Sequence, residues 1–232
     1  VTSFLAAIVL LAAPPQAADL SFYKQIASID ILQAKSVQTE LKVTESQRAA
    51  FNKHADGYNE QTKTLTSSFQ KGTLPKADFA KKLGDAQTSL HDRIIAELAS
   101  PQISRLGQIT LQRAGIIALM NPLVSSKLGI TQAQSKTLTE GLRKTGEEVA
   151  EIERKTKEPI VKKYQAMTPK TDDEKTKLQA ELDKEILAAN KKNQPELLKA
   201  RKGFEDLVDK TLTTGQKKSW SDLKGPLFKP AK

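Results

Sequence analysis

The chain has 232 residues, with 37 Lys plus Arg against 27 Asp plus Glu, a formal charge of +10 at pH 7 and a mean hydropathy of −0.47. This is room for one or two domains, and a hydrophobic fraction of 38% places the chain above the usual disorder regime. The absence of Cys excludes a disulfide framework, a thiolate nucleophile, Cys-held zinc and iron–sulfur ligation, and two His do not make a His-rich metal centre.

Residues 4–13 are an uninterrupted apolar run, followed by Pro14-Pro15-Gln16-Ala17-Ala18 and a polar sequence from Asp19. The pattern predicts a signal peptide over residues 1–18, too short to span a membrane, with small residues at its cleavage zone. The expected location is therefore periplasmic or extracellular. No later apolar run reaches 18 residues, so no transmembrane span is predicted.

The next element opens at Val43-Thr44-Glu45-Ser46-Gln47. Thr followed three residues later by Gln is a capping box, in which the hydroxyl accepts from the N3 amide and the Gln side chain returns to the N-cap amide. A helix is predicted from Glu45 to about Gln70, with Phe51, Tyr58, Leu65 and Phe69 in a stripe of helical spacing. Lys71-Gly72-Thr73-Leu74-Pro75 reads as a turn. A second helix from about Lys76 carries Phe79, Leu83, Ala86, Leu90, Ile94 and Leu98, completing an antiparallel hairpin.

Leu98-Ala99-Ser100-Pro101-Gln102 is a degenerate copy of the opening motif, with Ser100 expected as N-cap, Pro101 at N1 and Gln102 in the motif's Gln position. Gly115, Asn121-Pro122 and Gly129 then punctuate an apolar passage of Ile116, Ile117, Leu119, Leu123 and Val124, read as a buried hinge. Ile130-Thr131-Gln132-Ala133-Gln134 starts a long helix to about Met167, and a Thr168-Pro169-Lys170-Thr171 turn leads to another from Asp172 to about Lys210. Two helices of ~35 residues would form an arm on the order of 50 Å, with apolar stripes serving as core or coiled-coil seam. Pro159 and Pro195 should kink or divide them. Leu212-Thr213-Thr214-Gly215-Gln216 begins the last helix.

The copies at Val43 and Ile130 sit in a longer match: Val37-x3-Leu41-x-Val43-Thr44-x2-Gln47 parallels Val124-x3-Leu128-x-Ile130-Thr131-x2-Gln134. Opening motifs at Thr44 and Thr131 alternate with closing motifs at Leu98 and Leu212, which suggests a unit used twice. The expected fold is all-α, with elongated helical hairpins from a twofold repeat: a first unit over residues 19–121 and a second, with the long arm, over residues 122–232.

On V-T-E-S-Q, I-T-Q-A-Q and L-T-T-G-Q behind a signal peptide, the chain resembles exported bacterial helical proteins of the Spy and CpxP type, which carry LTxxQ repeats. The resemblance covers about 60 residues around the motifs. Only one copy has Leu followed by Thr, and the Leu98 copy lacks Thr in that position.

The excess charge is concentrated toward the second half, where 24 Lys plus Arg face 17 Asp plus Glu over residues 122–232. Such a surface suits anionic envelope polymers or lipid head groups, or acidic unfolded chains. Nucleic acid is disfavoured, because Lys outnumbers Arg by 30 to 7 and no aromatic series is present for stacking on bases. No nucleotide-binding, nucleophile-elbow or zinc-protease motif occurs, and no cofactor is expected. His54 and His91-Asp92 could contribute to a metal site, but their setting on amphipathic helices favours surface roles. Glu147, Glu148 and Glu151 lie on one exposed helix, with nothing there to raise a carboxyl pKa for acid catalysis.

The sequence thus predicts a non-enzymatic binding protein of the cell envelope. The resemblance implies a holdase for unfolded client proteins. The alternatives are an envelope-stress adaptor bound to a sensor, a structural module such as a homodimer, and, third, a metal-responsive carrier.

Overall fold

A computed structural model describes residues 17–230. The predicted signal peptide falls almost wholly outside them. Among the described residues the chain is all-α, with nine α-helices, two 3-10 turns and no strand.

The chain divides into two compact units. The first runs to Gly115 and takes back the segment from Asp222 onward; the second is Ile116–Ser221. The sequence-level halves, 19–121 and 122–232, divide the chain elsewhere, because the start of the apolar passage joins the second unit and the last residues return to the first.

In the first unit, α1 (Ala17–Ile26) leads through a 3-10 turn at Ile29–Gln33 to α2 (Lys35–Glu40). The hairpin follows as α3 (Glu45–Gln70) and α4 (Lys76–Ala96), then α5 (Ser100–Ala114). Helix α5 is the centre of this unit: Ile103, Leu106, Ile109 and Leu111 are each no more than 3% exposed. Helix α1 packs on it at Gly107, where an added Cβ would lie 2.5 Å from Tyr23 Cδ1. The Tyr23 hydroxyl donates to the Leu223 carbonyl at 2.9 Å, and burial pushes its pKa up. The returning segment is clasped by Gln112, which donates to the Lys224 and Pro226 carbonyls and accepts from the Phe228 amide.

In the second unit, α6 (Pro122–Lys127) precedes the long hairpin of α7 (Gln132–Gln165) and α8 (Asp172–Thr211). Helix α9 (Thr214–Lys224) begins here and crosses into the first unit at Asp222. Both hairpins pack helix against helix. Neither Pro159 nor Pro195 divides its helix; each removes one backbone donor, and the flanking turns continue. Near both, buried Asn193 donates across the seam to the Thr156 hydroxyl.

The expected buried hinge is only half buried. Ala118, Leu119 and Val124 are covered, whereas Ile117 is 48% and Leu123 39% exposed. The passage instead folds as a 3-10 turn and α6, so its apolar residues point both ways round a short helical turn. Helix α6 takes the place that α2 holds in the first unit: Val37 and Val124 are each 1% exposed, and both helices end two residues before a left-handed position, Lys42 (φ 53°) and Gly129 (φ 62°).

Candidate functional site

The four motifs meet in two pairs, one in each unit. In the first, Thr44 caps α3: its hydroxyl accepts from the Gln47 amide at 3.2 Å, and its own N–H donates to Gln47 Oε1 at 3.0 Å. Gln102 makes the same return bond to the Ala99 N–H at 2.8 Å. Its partner in that bond corrects an expectation. Ala99 is the N-cap of α5 and Ser100 is the first helical residue, with Pro101 second. Gln102 must stand three residues after the cap to receive its N–H, so a helix that starts on Ala99 keeps the Gln in register and forgoes the hydroxyl half of the box.

The two glutamines then bind each other. Gln47 Nε2 donates to Gln102 Oε1 at 2.8 Å, and Gln102 Nε2 donates to Gln47 Oε1 at 3.1 Å. Each uses its second N–H on a helix C-terminal carbonyl, Gln47 on Glu97 O at 2.7 Å and Gln102 on Leu41 O at 3.0 Å. Every donor and acceptor of both amides is therefore engaged. The orientation is dictated by the network, because a flipped amide would set N–H against the N–H of the cap residue.

The second unit repeats the arrangement. Thr131 and Thr213 cap α7 and α9 with complete boxes to Gln134 and Gln216. Gln134 Nε2 and Gln216 Nε2 donate reciprocally to each other's Oε1 at 2.8 and 3.0 Å. Their remaining N–H groups go to Thr211 O and Gly129 O, at 2.8 and 2.9 Å. Each joint thus ties two helix N-termini to two helix C-termini. Of the four residues that open the motifs, Val43, Leu98 and Leu212 are each 6% exposed and Ile130 is half-buried. The joints are made of neutral amides, so they hold helices and carry no acid, base or nucleophile.

A further capping box escaped the sequence reading. Thr171 and Glu174 cap α8 at the hairpin turn, and Glu174 also accepts from the Lys170 amide at 2.6 Å. The signal was present as Thr-x-x-Glu, with the acid in place of Gln. Helix α1 was also missed, since its ten residues carry only Leu20, Phe22, Tyr23 and Ile26 as large apolar groups and no capping motif.

The two histidines are separately bound. His54 Nε2 lies 3.0 Å from Glu97 Oε1, whereas His91 meets Asp92 Oδ1 at 3.2 Å and the Ala27 carbonyl at 3.1 Å. Among the described residues no group of three or more His, Asp or Glu could hold a metal ion. Glu147 and Glu151 pair with Arg143 and Arg154. Arg143 beside Glu140, Arg154 beside Glu151, Lys162 with Arg154 beside Glu158, and Lys163 with Tyr164 beside Glu185 each hold the carboxyl below the usual range. That is the reverse of what a catalytic acid needs.

Each unit also has an open cleft. One of about 230 Å³ in the first unit has Leu32, Phe51, Leu90 and Ile94 in its lining, and one of about 330 Å³ near the α7·α8 turn has Val161, Tyr164, Leu178 and Leu182. No helix among the described residues is long and apolar enough to cross a membrane. No family model matches the chain, and no similar curated protein or solved structure was found.

Proposed function

We propose that the chain is an exported, non-enzymatic binding protein of the cell envelope that holds unfolded client proteins. In this reading it is a duplicated helical scaffold with coiled-coil-like arms, related to the LTxxQ-repeat proteins. The observation that carries the reading is the unpartnered apolar surface of the long hairpin. Leu187 and Leu198, 57% and 59% exposed, stand three turns apart on one face of α8, and Met167 at the turn is 42% exposed. Lysines flank these side chains along the same helix, a mixture suited to chains that present apolar and acidic segments together. The amide joints at the base keep the arm standing without drawing on those side chains.

The test is aggregation of a reduced or heated client, followed by light scattering, with the protein at equimolar ratio. Suppression is expected, and it should weaken when Leu187 and Leu198 are both replaced by Ser. Unchanged scattering would end the holdase reading. Cross-linking in envelopes then separates it from the adaptor alternative: a holdase gives many clients and an adaptor gives one stoichiometric partner.

A further inference from the structure

The turn of the shorter hairpin has a surface that client holding does not explain. Residues 61–85 carry five lysines, Lys63, Lys71, Lys76, Lys81 and Lys82, against Asp78 and Asp85, a local charge of +3. Among the described residues only Lys81 of these forms an ion pair, with Asp85 at 2.7 Å. At the same end Phe69, in the last turn of α3, stacks on Phe79 of α4 with ring centroids 4.7 Å apart and planes inclined by 17°. The stack closes the hairpin, yet Phe69 remains 39% exposed because the chain turns back at Lys71 and no further element covers it.

The turn of the longer hairpin lacks this combination. Residues 159–180 set three acids against five lysines, and Lys162, Lys163 and Lys175 are held by carboxylates. Unpaired cations around an exposed aromatic ring are therefore a property of one tip. Positive charge alone would suit any polyanion. An apolar ring at the centre of that charge adds affinity only where hydrocarbon lies beneath the anions, as at a bilayer surface. Lysine stems can lie along the apolar boundary while their ammonium groups stay among the phosphates.

We propose that the tip of the α3·α4 hairpin binds anionic lipid bilayers, with Phe69 entering the headgroup boundary and Lys71 and Lys76 resting on lipid phosphates. The inference is independent of client holding, and its assay contains no client.

The experiment uses the full chain and sedimentation with vesicles of phosphatidylcholine containing 30% phosphatidylglycerol or none. Because residues 4–13 are themselves apolar, the readout is the difference between tip variants and the parent chain. Replacing both Lys71 and Lys76 by Gln should weaken binding to the anionic vesicles about 25-fold, at roughly fivefold per lysine. Phe69→Ala should cost about fivefold, since about two-fifths of the ring is still available for burial. Lys191→Gln with Lys192→Gln, on α8, should leave binding within about twofold, less than the loss of a single bilayer-contacting lysine. Against the parent chain, whose single Trp220 is buried and serves as the baseline, a Phe69→Trp chain should gain blue-shifted emission that brominated lipid quenches. Equal binding by the parent and both tip variants overturns the proposal. So does an indole at position 69 that brominated lipid leaves unquenched, and so does competition by soluble polyphosphate with no effect of Phe69→Ala, which would identify a polyanion site instead.

Discussion

Each hairpin stands on an amide joint of the same design within its own unit, and the two differ in what holds them above it. Helices α3 and α4, of 26 and 21 residues, bury Phe51, Ala86, Ile94 and Ile95, most of them near the joint. Helices α7 and α8, of 34 and 40 residues, bury Leu138, Phe204 and Val208 near theirs, and further along only Tyr164, Ala189, Asn193 and Ala200. Most of the long seam is half exposed, as expected for two helices with no third layer. Ion pairs three and four residues apart recur along it instead, through Arg143, Lys144, Arg154, Lys155, Lys157 and Lys162. A joint can therefore carry arms of different length, provided that local pairing replaces core burial as the arm grows.

The largest effects should fall at the bases. Leu106→Ala and Leu138→Ala, each at a fully buried position, should cost about 3–4 kcal/mol in denaturant unfolding, whereas Val149→Ala on the long arm should cost less than about 1 kcal/mol. An equal cost on the arm would mean that it has a core of its own.

The amide joints come next. Gln47→Leu strands the Thr44 N–H, the Glu97 carbonyl and half of Gln102, at about 2–3 kcal/mol, and Gln134→Leu should match it in the second unit. Combining Gln47→Leu with Gln102→Leu should cost clearly less than the sum, because the second change removes groups that the first left unpaired. Additive costs would show that the two glutamines act separately.

Acid should separate the hairpins. The four carboxyls held below the ordinary range, Glu140, Glu151, Glu158 and Glu185, are all on α7 and α8. Their contribution is complete above the ordinary carboxylate pKa and is lost as pH falls through the depressed folded values. Amide protection, taken relative to the intrinsic exchange rate at each pH, should therefore be lost in α7 and α8 before α3 and α4 as pH falls below the ordinary carboxylate range. High salt at neutral pH should reproduce part of the effect. Simultaneous loss in both hairpins would remove the distinction between them.

The smallest effects test the motifs one position at a time. Thr44→Ala should cost about 1 kcal/mol and Ser100→Ala close to nothing, because only the threonine caps a helix. Lys42→Gly should stabilise the first unit by about 0.5–1 kcal/mol, since Lys42 holds a left-handed conformation that Gly129 adopts without strain in the second.

Much of this architecture was legible in advance. The bounds of α3 and the start of α7 follow from Thr44, Thr131 and their glutamines, and the turns at Gly72 and Pro169 were marked by composition. Ser100 misled because a hydroxyl before a proline resembles a cap, although the motif's own spacing, Gln102 three residues after Ala99, marks Ala99 as the cap position. The burial of Leu119 and the exposure of Ile117 were hidden, since both lie in one apolar passage whose periodicity is too short to identify a face.

The sequence by itself determined where α3, α7 and α9 begin, because a capping box is closed by residues three apart and needs no distant partner. Only the tertiary structure decided that the same glutamines also pair with one another across 55 and 82 residues of chain. A side-chain amide has a second donor and a second lone pair to satisfy, and which distant group supplies them depends on how the arms fold back, a matter on which three-residue spacing is silent.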